Sequence, residues 1–344
     1  MGKERRLGQK KLGYSSQLTF VISLIAGSVG TGNIWRFPRV AAQNGGAFIL
    51  VYVVIMFLVI IPVMMGEHVI GRYTRHGAPG AFRDFVGRNA TWLGIIVVLI
   101  MAMTASYYSA VLSWIVYYLG LSVTKGYYGV DKTEMFNAVT NGNLITVLLF
   151  VLILAISAFI AYKGVSGLEK ANKIFIPTLF VCLVIAAIRA LTLPGAVDGL
   201  NYYFDFEFSD LLNYRVWLEA LTQAVWSAGP GWGLCLTLAV FSKAKSDVSL
   251  TSAVNGLGDM FAAVLAGLAV IPAIFASAGS AEEALAMCAS GNNGLTFISM
   301  TGLVENMPGG YIMGIVFFLS LLMAGLSSNC VHFLIVALPF ADAG

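Results

Sequence analysis

The sequence predicts an all-helical protein that crosses a membrane several times. Three observations predict it: long unbroken apolar runs, loops whose charge alternates in sign, and little charge overall. Of 344 residues, 58% are hydrophobic and 11% charged, and mean hydropathy is +0.84, far from the balance of a water-soluble domain.

A membrane-spanning helix needs about 20 apolar residues. Eight such runs lie near 18–40, 46–71, 92–121, 144–162, 174–193, 216–241, 250–278 and 310–340, here segments 1 to 8. They do not alternate over about 10 residues as barrel strands would, so the fold is all-α. The layout is a cytoplasmic N-terminal stretch (1–17), segments 1–5 (18–193), an extracellular loop (194–215), segments 6–8 (216–340) and a short end (341–344).

Lys3, Arg5, Arg6, Lys10 and Lys11 precede segment 1, Arg72, Arg75, Arg83 and Arg88 follow segment 2, Lys163, Lys170 and Lys173 follow segment 4, and Lys243 and Lys245 follow segment 6. The positive-inside rule makes that side, and the N-terminus, cytoplasmic, in a cell membrane. The opposite loops carry Asp131, Glu134, Asp198, Asp205, Glu207, Asp210, Glu282, Glu283 and Glu305. The net charge of +3 is therefore sidedness across a bilayer and implies no nucleic-acid partner. Cys182, Cys235, Cys288 and Cys330 lack CxxC spacing and suggest neither a metal nor a disulfide framework. Oligomeric state is left open.

Two segments contain residues that a spanning helix avoids. Segment 1 holds Ala26-Gly27-Ser28-Val29-Gly30-Thr31-Gly32-Asn33, and segment 6 holds Ser227-Ala228-Gly229-Pro230-Gly231-Trp232-Gly233. Glycines permit unwinding and Pro230 removes a donor. In lipid, unwound backbone survives only when buried in protein or lining a cavity. Facing breaks would offer amides to a carboxylate and carbonyls to a cation, which suits an amino acid with sodium. The alternative is that Gly27, Gly30 and Gly32 only allow close helix packing.

His68, His76 and His332 do not pair with Cys or Asp at catalytic spacing and there is no phosphate loop, so an enzyme is not expected. The remaining classes are a secondary carrier and a non-transporting receptor that keeps the binding site.

The chain resembles the neurotransmitter:sodium symporters, particularly their bacterial amino-acid members. The resemblance rests on Gly30-Thr31-Gly32-Asn33-Ile34-Trp35-Arg36-Phe37-Pro38, Gln43-Asn44-Gly45-Gly46-Ala47-Phe48, Pro62, Gly66-Glu67 and Gly71-Arg72-Tyr73. Tyr107-Tyr108, Gly231-Trp232-Gly233 and Ala324-Gly325-Leu326-Ser327-Ser328 extend it over the chain. This family is the standing example of discontinuous helices meeting at the bilayer midplane. The implied fold is a LeuT-like inverted five-helix repeat with segments 1 and 6 broken. Family members have eleven or twelve helices, so this chain is expected to be truncated after segment 8, with the acidic partner of Arg36 in the missing part.

The resemblance implies two sodium sites. One would use the Ser28 carbonyl, the side chains of Asn33, Ser227 and Asn255, and the substrate carboxylate. The other would use the carbonyls of Ala26, Val29 and Ala324 with the hydroxyls of Ser327 and Ser328; standing alone, those serines would be read as bonded to their own helix. Asp259 would replace the chloride of animal relatives, so no chloride requirement is expected, with a structural acid as the alternative. Glu67 would satisfy freed amides. Tyr108 and the amides of Thr31 and Gly32 would hold the substrate carboxylate. Monoamine carriers have an aspartate where this chain has Gly30. Gly27, Thr104, Trp226, Gly229, Trp232, Ser328 and His332 would meet the substrate side chain. Arg36 is the expected outer gate, under a lid of Trp226 and Tyr108, and Lys11 with Asp342 the inner pair.

Overall fold

The computed structural model describes residues 13–343, all helix, turn and loop with no strand among them. Lys11, and with it the expected Lys11–Asp342 pair, lies outside the described residues. Six helical runs are long and apolar enough to cross a membrane. Segments 1 and 6 account for the difference from eight, because each is built from pieces.

Segment 1 begins as α1 (Gln17–Ser28), capped by the Ser16 side chain on the Thr19 amide. It resumes as α2 (Thr31–Ile34) and runs into α3 (Arg36–Ile55). α3 is bent at Gly45, whose φ of 65° favours glycine, so segment 2 starts there. The amide of Gly46 bonds the Asp205 carbonyl at 3.0 Å, and a Cβ on Gly46 would stand 2.6 Å from the Phe204 backbone. That close approach seats the 194–215 loop on the turn. A π-helical turn (Met56–Ile60) and α4 (Ile61–Thr74) complete segment 2.

The short α5 (Ala78–Phe85) leads to α6 (Thr91–Thr124), which is segment 3. A loop helix, α7 (Lys132–Thr140), precedes α8 (Leu144–Tyr162) and α9 (Gly164–Leu191), segments 4 and 5. The next loop is itself helical in α10 (Ala196–Phe204). Segment 6 is α11 (Tyr214–Ala228) and α12 (Leu234–Ala239), and segment 7 is α13 (Val248–Ser277). After α14 (Ala281–Ala289) and α15 (Met300–Asn306) comes segment 8, α16 (Gly310–Ala343).

The interior mixes small residues with hydrogen-bonded polar ones, as helix packing in lipid requires. On α13, Ala262, Ala263, Ala266 and Gly267 are buried. Asn329 of α16 donates at 3.0 Å to Ser109 of α6 and at 3.0 Å to Ser157 of α8, tying three spans together. All four cysteines are buried and unpaired.

Candidate functional site: two facing helix breaks

The first break is narrower than the glycines suggest. Only Val29 (φ −72°, ψ 101°) and Gly30 (φ −121°, ψ −169°) leave the helix, both extended. Gly27 and Gly32 sit in helix and serve packing: a Cβ on Gly27 would lie 3.0 Å from Leu234, and one on Gly32 2.9 Å from Trp226. The packing alternative therefore holds for these two glycines, beside a real break.

Every backbone group freed there needs a partner, since an unmet one costs several kcal/mol in lipid. The Gly30 amide donates to Asn33 Oδ1 at 3.0 Å. The carbonyls of Ala26, Val29 and Ala324 all surround Ser328 Oγ, at 3.3, 3.1 and 3.2 Å. Ser327 Oγ donates to the Ala324 carbonyl at 2.8 Å. Five oxygens from α1, the break and α16 thus gather in one buried cluster, Ser328 being 302 and 299 positions from Ala26 and Val29. Both serines bond within their helix, yet Ser328 also reaches across to segment 1.

At the second break Gly229, Gly231 and Gly233 take φ of 71°, 83° and 73°, a left-handed backbone that disfavours other residues. Glu67 of α4 accepts from the freed Gly231 amide and from the Leu236 amide at 3.2 Å. The breaks face each other, because Ser28 Oγ donates to the Ala228 carbonyl at 3.2 Å.

Behind them lies a buried carboxylate. Asp259 of α13 accepts from Asn33 Nδ2 at 2.8 Å, from Tyr52 at 3.2 Å, and from Ser227 Oγ, which lies 2.8 and 2.9 Å from its two oxygens. Asn255, one turn earlier, has its Nδ2 3.8 Å from Cys235 Sγ, and its Oδ1 is buried with no hydrogen-bond partner among the described residues. A buried oxygen of that kind costs about 1–3 kcal/mol if nothing meets it. It fits an oxygen-seeking cation.

Between the breaks is a small cavity. Of the expected substrate contacts, Gly27, Thr104, Tyr108, Trp226, Gly229, Trp232, Ser328 and His332 line it. Thr31 and Gly32 stand just behind, beside the Tyr108 hydroxyl. Met101 and Leu234 also line it, although the motifs did not single them out. Trp226 and Trp232 meet edge to face at 5.1 Å, as do Tyr108 and His332 at 5.1 Å. Gly30 has no room to spare: a Cβ would lie 2.9 Å from the Tyr108 hydroxyl and 3.1 Å from Ser328 Oγ.

The residues expected to form gates depart from expectation in one respect. Arg36 finds its acid within the chain: its Nη2 lies 3.5 Å from Glu219, and its Nη1 donates to Gln223. Glu219, Gln223 and Ser227 recur every fourth residue, so one face of segment 6 is a polar stripe legible in the sequence. Tyr52 had no such signal; only folding sets it against Asp259. Asp342 accepts from the Gly77 amide at 2.7 Å, at the start of α5.

An all-helical membrane chain with two discontinuous segments meeting around a buried polar cavity has the architecture of the LeuT-like carriers. The chain belongs to the sodium:neurotransmitter symporter family, whose model matches residues 11–138 and 127–343. It is 34% identical over 331 residues to an uncharacterized sodium-dependent transporter of Methanocaldococcus jannaschii, covering 92% of this chain and 66% of that one. It is 27% identical over 359 residues to the sodium-dependent serotonin transporter of Drosophila melanogaster, covering 92% of this chain and 57% of the relative. The solved structure of MhsT in complex with L-phenylalanine superposes with a TM-score of 0.83 at 30% identity, over 96% of this chain and 74% of the other. The chain thus spans about two thirds of the length of its archaeal relative.

Proposed function

We propose that the facing breaks bind sodium and an amino-acid-like carboxylate, and that the protein is a sodium-coupled symporter working by alternating access in the cell membrane, N-terminus inside. Segments 1–5 would be one repeat and segments 6–8 part of its inverted partner. The observation that carries the reading is the closeness of Ser328 Oγ to the carbonyls of Ala26, Val29 and Ala324, within 3.3 Å of each. Carbonyl and hydroxyl oxygens are hard ligands suited to an alkali cation.

With Ser327, these groups would hold one sodium. A second would be held by the Ser28 carbonyl, Asn33, Ser227 and Asn255, together with the substrate carboxylate. Bound there, sodium supplies positive charge that offsets the carboxylate, so the affinities of ion and substrate are linked. Tyr108 and the amides of Thr31 and Gly32 orient that carboxylate.

Gly30 supports a substrate that brings its own acid, since the space beside it is already filled by Tyr108 and Ser328. The L-phenylalanine in the MhsT structure agrees with that class. Asp259 supplies a fixed negative charge beside the cation site at Asn33 and Ser227, so chloride is not required. Arg36, Glu219 and Gln223 would form the outer closure, with Trp226 and Tyr108 as the lid.

The test is uptake of labelled amino acids into proteoliposomes under an inward sodium gradient, with potassium as control. Gradient-driven accumulation is expected. Sodium-dependent binding without accumulation would establish the receptor reading instead, and binding indifferent to sodium would remove both.

A further inference from the structure

The polar groups that line the cavity differ in whether the protein satisfies them. The Tyr108 hydroxyl stands near the first break, and Ser328 Oγ is engaged with the backbone carbonyls there. Along the wall, Thr104 is spent on its own helix, donating to the Ile100 carbonyl at 2.8 Å. One turn beyond Ser328 on α16 is His332, 7% exposed, its Nδ1 buried without a hydrogen-bond partner among the described residues. Its ring is held edge-on against Tyr108 at 82° between planes. The imidazole is therefore oriented by packing and left unmet by the protein.

A neutral imidazole offers one donor and one acceptor. The apolar walls are Met101, Leu234 and the mutually perpendicular indoles of Trp226 and Trp232. Such surfaces favour a flat ring, packed face or edge against them. A ring that also carries an N–H or O–H would meet the imidazole that the fold leaves without a partner.

We propose that His332 selects the substrate side chain, and that the substrates are amino acids whose side chain is a flat ring bearing a hydrogen-bonding group, a phenol or an indole. This rests on the carboxylate-binding reading above. A site built to hydrogen-bond a substrate group discriminates against the analogue lacking it, because the site's own polar atom then goes unmet.

The test is binding of L-tyrosine, L-tryptophan, L-phenylalanine and L-leucine to the purified full chain in sodium, for the wild type, His332→Phe and His332→Gln. Wild type is expected to hold tyrosine or tryptophan about tenfold or more tighter than phenylalanine. In His332→Phe that ratio should collapse towards one while phenylalanine still binds, and His332→Gln should keep part of it. Equal wild-type affinities for the three rings, or a ratio unchanged in His332→Phe, overturns the proposal and leaves the carrier reading standing. Absence of any amino-acid binding by the wild type overturns both. Should His332→Phe fail to bind phenylalanine, the Gln variant decides, an unchanged ratio there counting against a role that depends on the imidazole.

Discussion

Ser227 Oγ lies 2.8 and 2.9 Å from the two carboxylate oxygens of Asp259, so the last full turn of α11 is fastened to the middle of α13 beside the second break. Asn33 and Tyr52 complete the ring around the same acid. Four spans are thus joined through one buried carboxyl group. Replacing Asp259 by serine should remove sodium-dependent binding in chloride-free buffer and restore it when chloride is added. Titrating chloride against sodium-dependent ligand binding reads this directly; full binding by the variant without chloride would show that the acid is only structural.

Ser328→Ala removes one oxygen from the five-oxygen cluster but little volume. Loss of a hydrogen-bonding or ligating group to a charged partner costs about 1.5–3 kcal/mol. Sodium affinity should therefore fall about tenfold or more. Melting in sodium against potassium separates this from a general loss of stability, since a ligand raises the apparent stability only of the state that binds it. Retention of the full sodium shift would exclude Ser328 as a ligand.

Gly30→Ala should fold and yet bind substrate poorly. Its φ of −121° is open to any residue, so alanine carries no backbone strain. The added Cβ would stand 2.9 Å from the Tyr108 hydroxyl and 3.1 Å from Ser328 Oγ, which forces both groups to move. Overpacking of that kind costs about 1–3 kcal/mol. Calorimetry should show the loss in both ligand and sodium binding; an unchanged pair of affinities would place the cradle elsewhere.

The Arg36–Glu219 pair is half exposed on its acidic side, with Glu219 at 45%. Glu219→Gln should therefore change stability by at most about 1 kcal/mol. Its effect is expected in uptake rate, with equilibrium binding kept, if the pair works as a closure. Arg36→Lys keeps the charge but cannot bridge Glu219 and Gln223 at once, so it should be the slower of the two variants.

Away from the spans, Glu305 on α15 accepts from Lys132 of α7 and from the Gly129 amide at 2.7 Å. The lysine, then the amide, hold its carboxyl below the usual range. A depressed carboxylate stabilises the fold above its unfolded value of about 4.3 and loses that contribution as pH falls through the lower folded value. Thermal melts between about pH 6 and 3 should show an acid-dependent fall that is smaller in Glu305→Gln. Parallel curves for the two proteins would mean that the loops are not tied through this carboxylate.

The spans were legible because lipid leaves a helix few alternatives: about 20 apolar residues in a row already imply the element. So were the two breaks, since clustered glycines, joined by Pro230 in the second run, permit a helix to unwind. The polar stripe of Glu219, Gln223 and Ser227 was also present in the order of residues, and it carries an acid for Arg36.

By itself, then, the sequence determined the all-helical, apolar character of the chain and the residues able to unwind. Tertiary structure alone decided that the unwinding in segment 1 is confined to Val29 and Gly30, with Gly27 and Gly32 spent on packing against Leu234 and Trp226. It also decided that Tyr52 joins Asp259, that Ser328 meets carbonyls 299 and 302 residues away, and that His332 is left without a partner. The reason is physical. Hydrophobic length is a local property of the chain, whereas the satisfaction of a buried polar group depends on which distant atoms packing brings within about 3 Å of it.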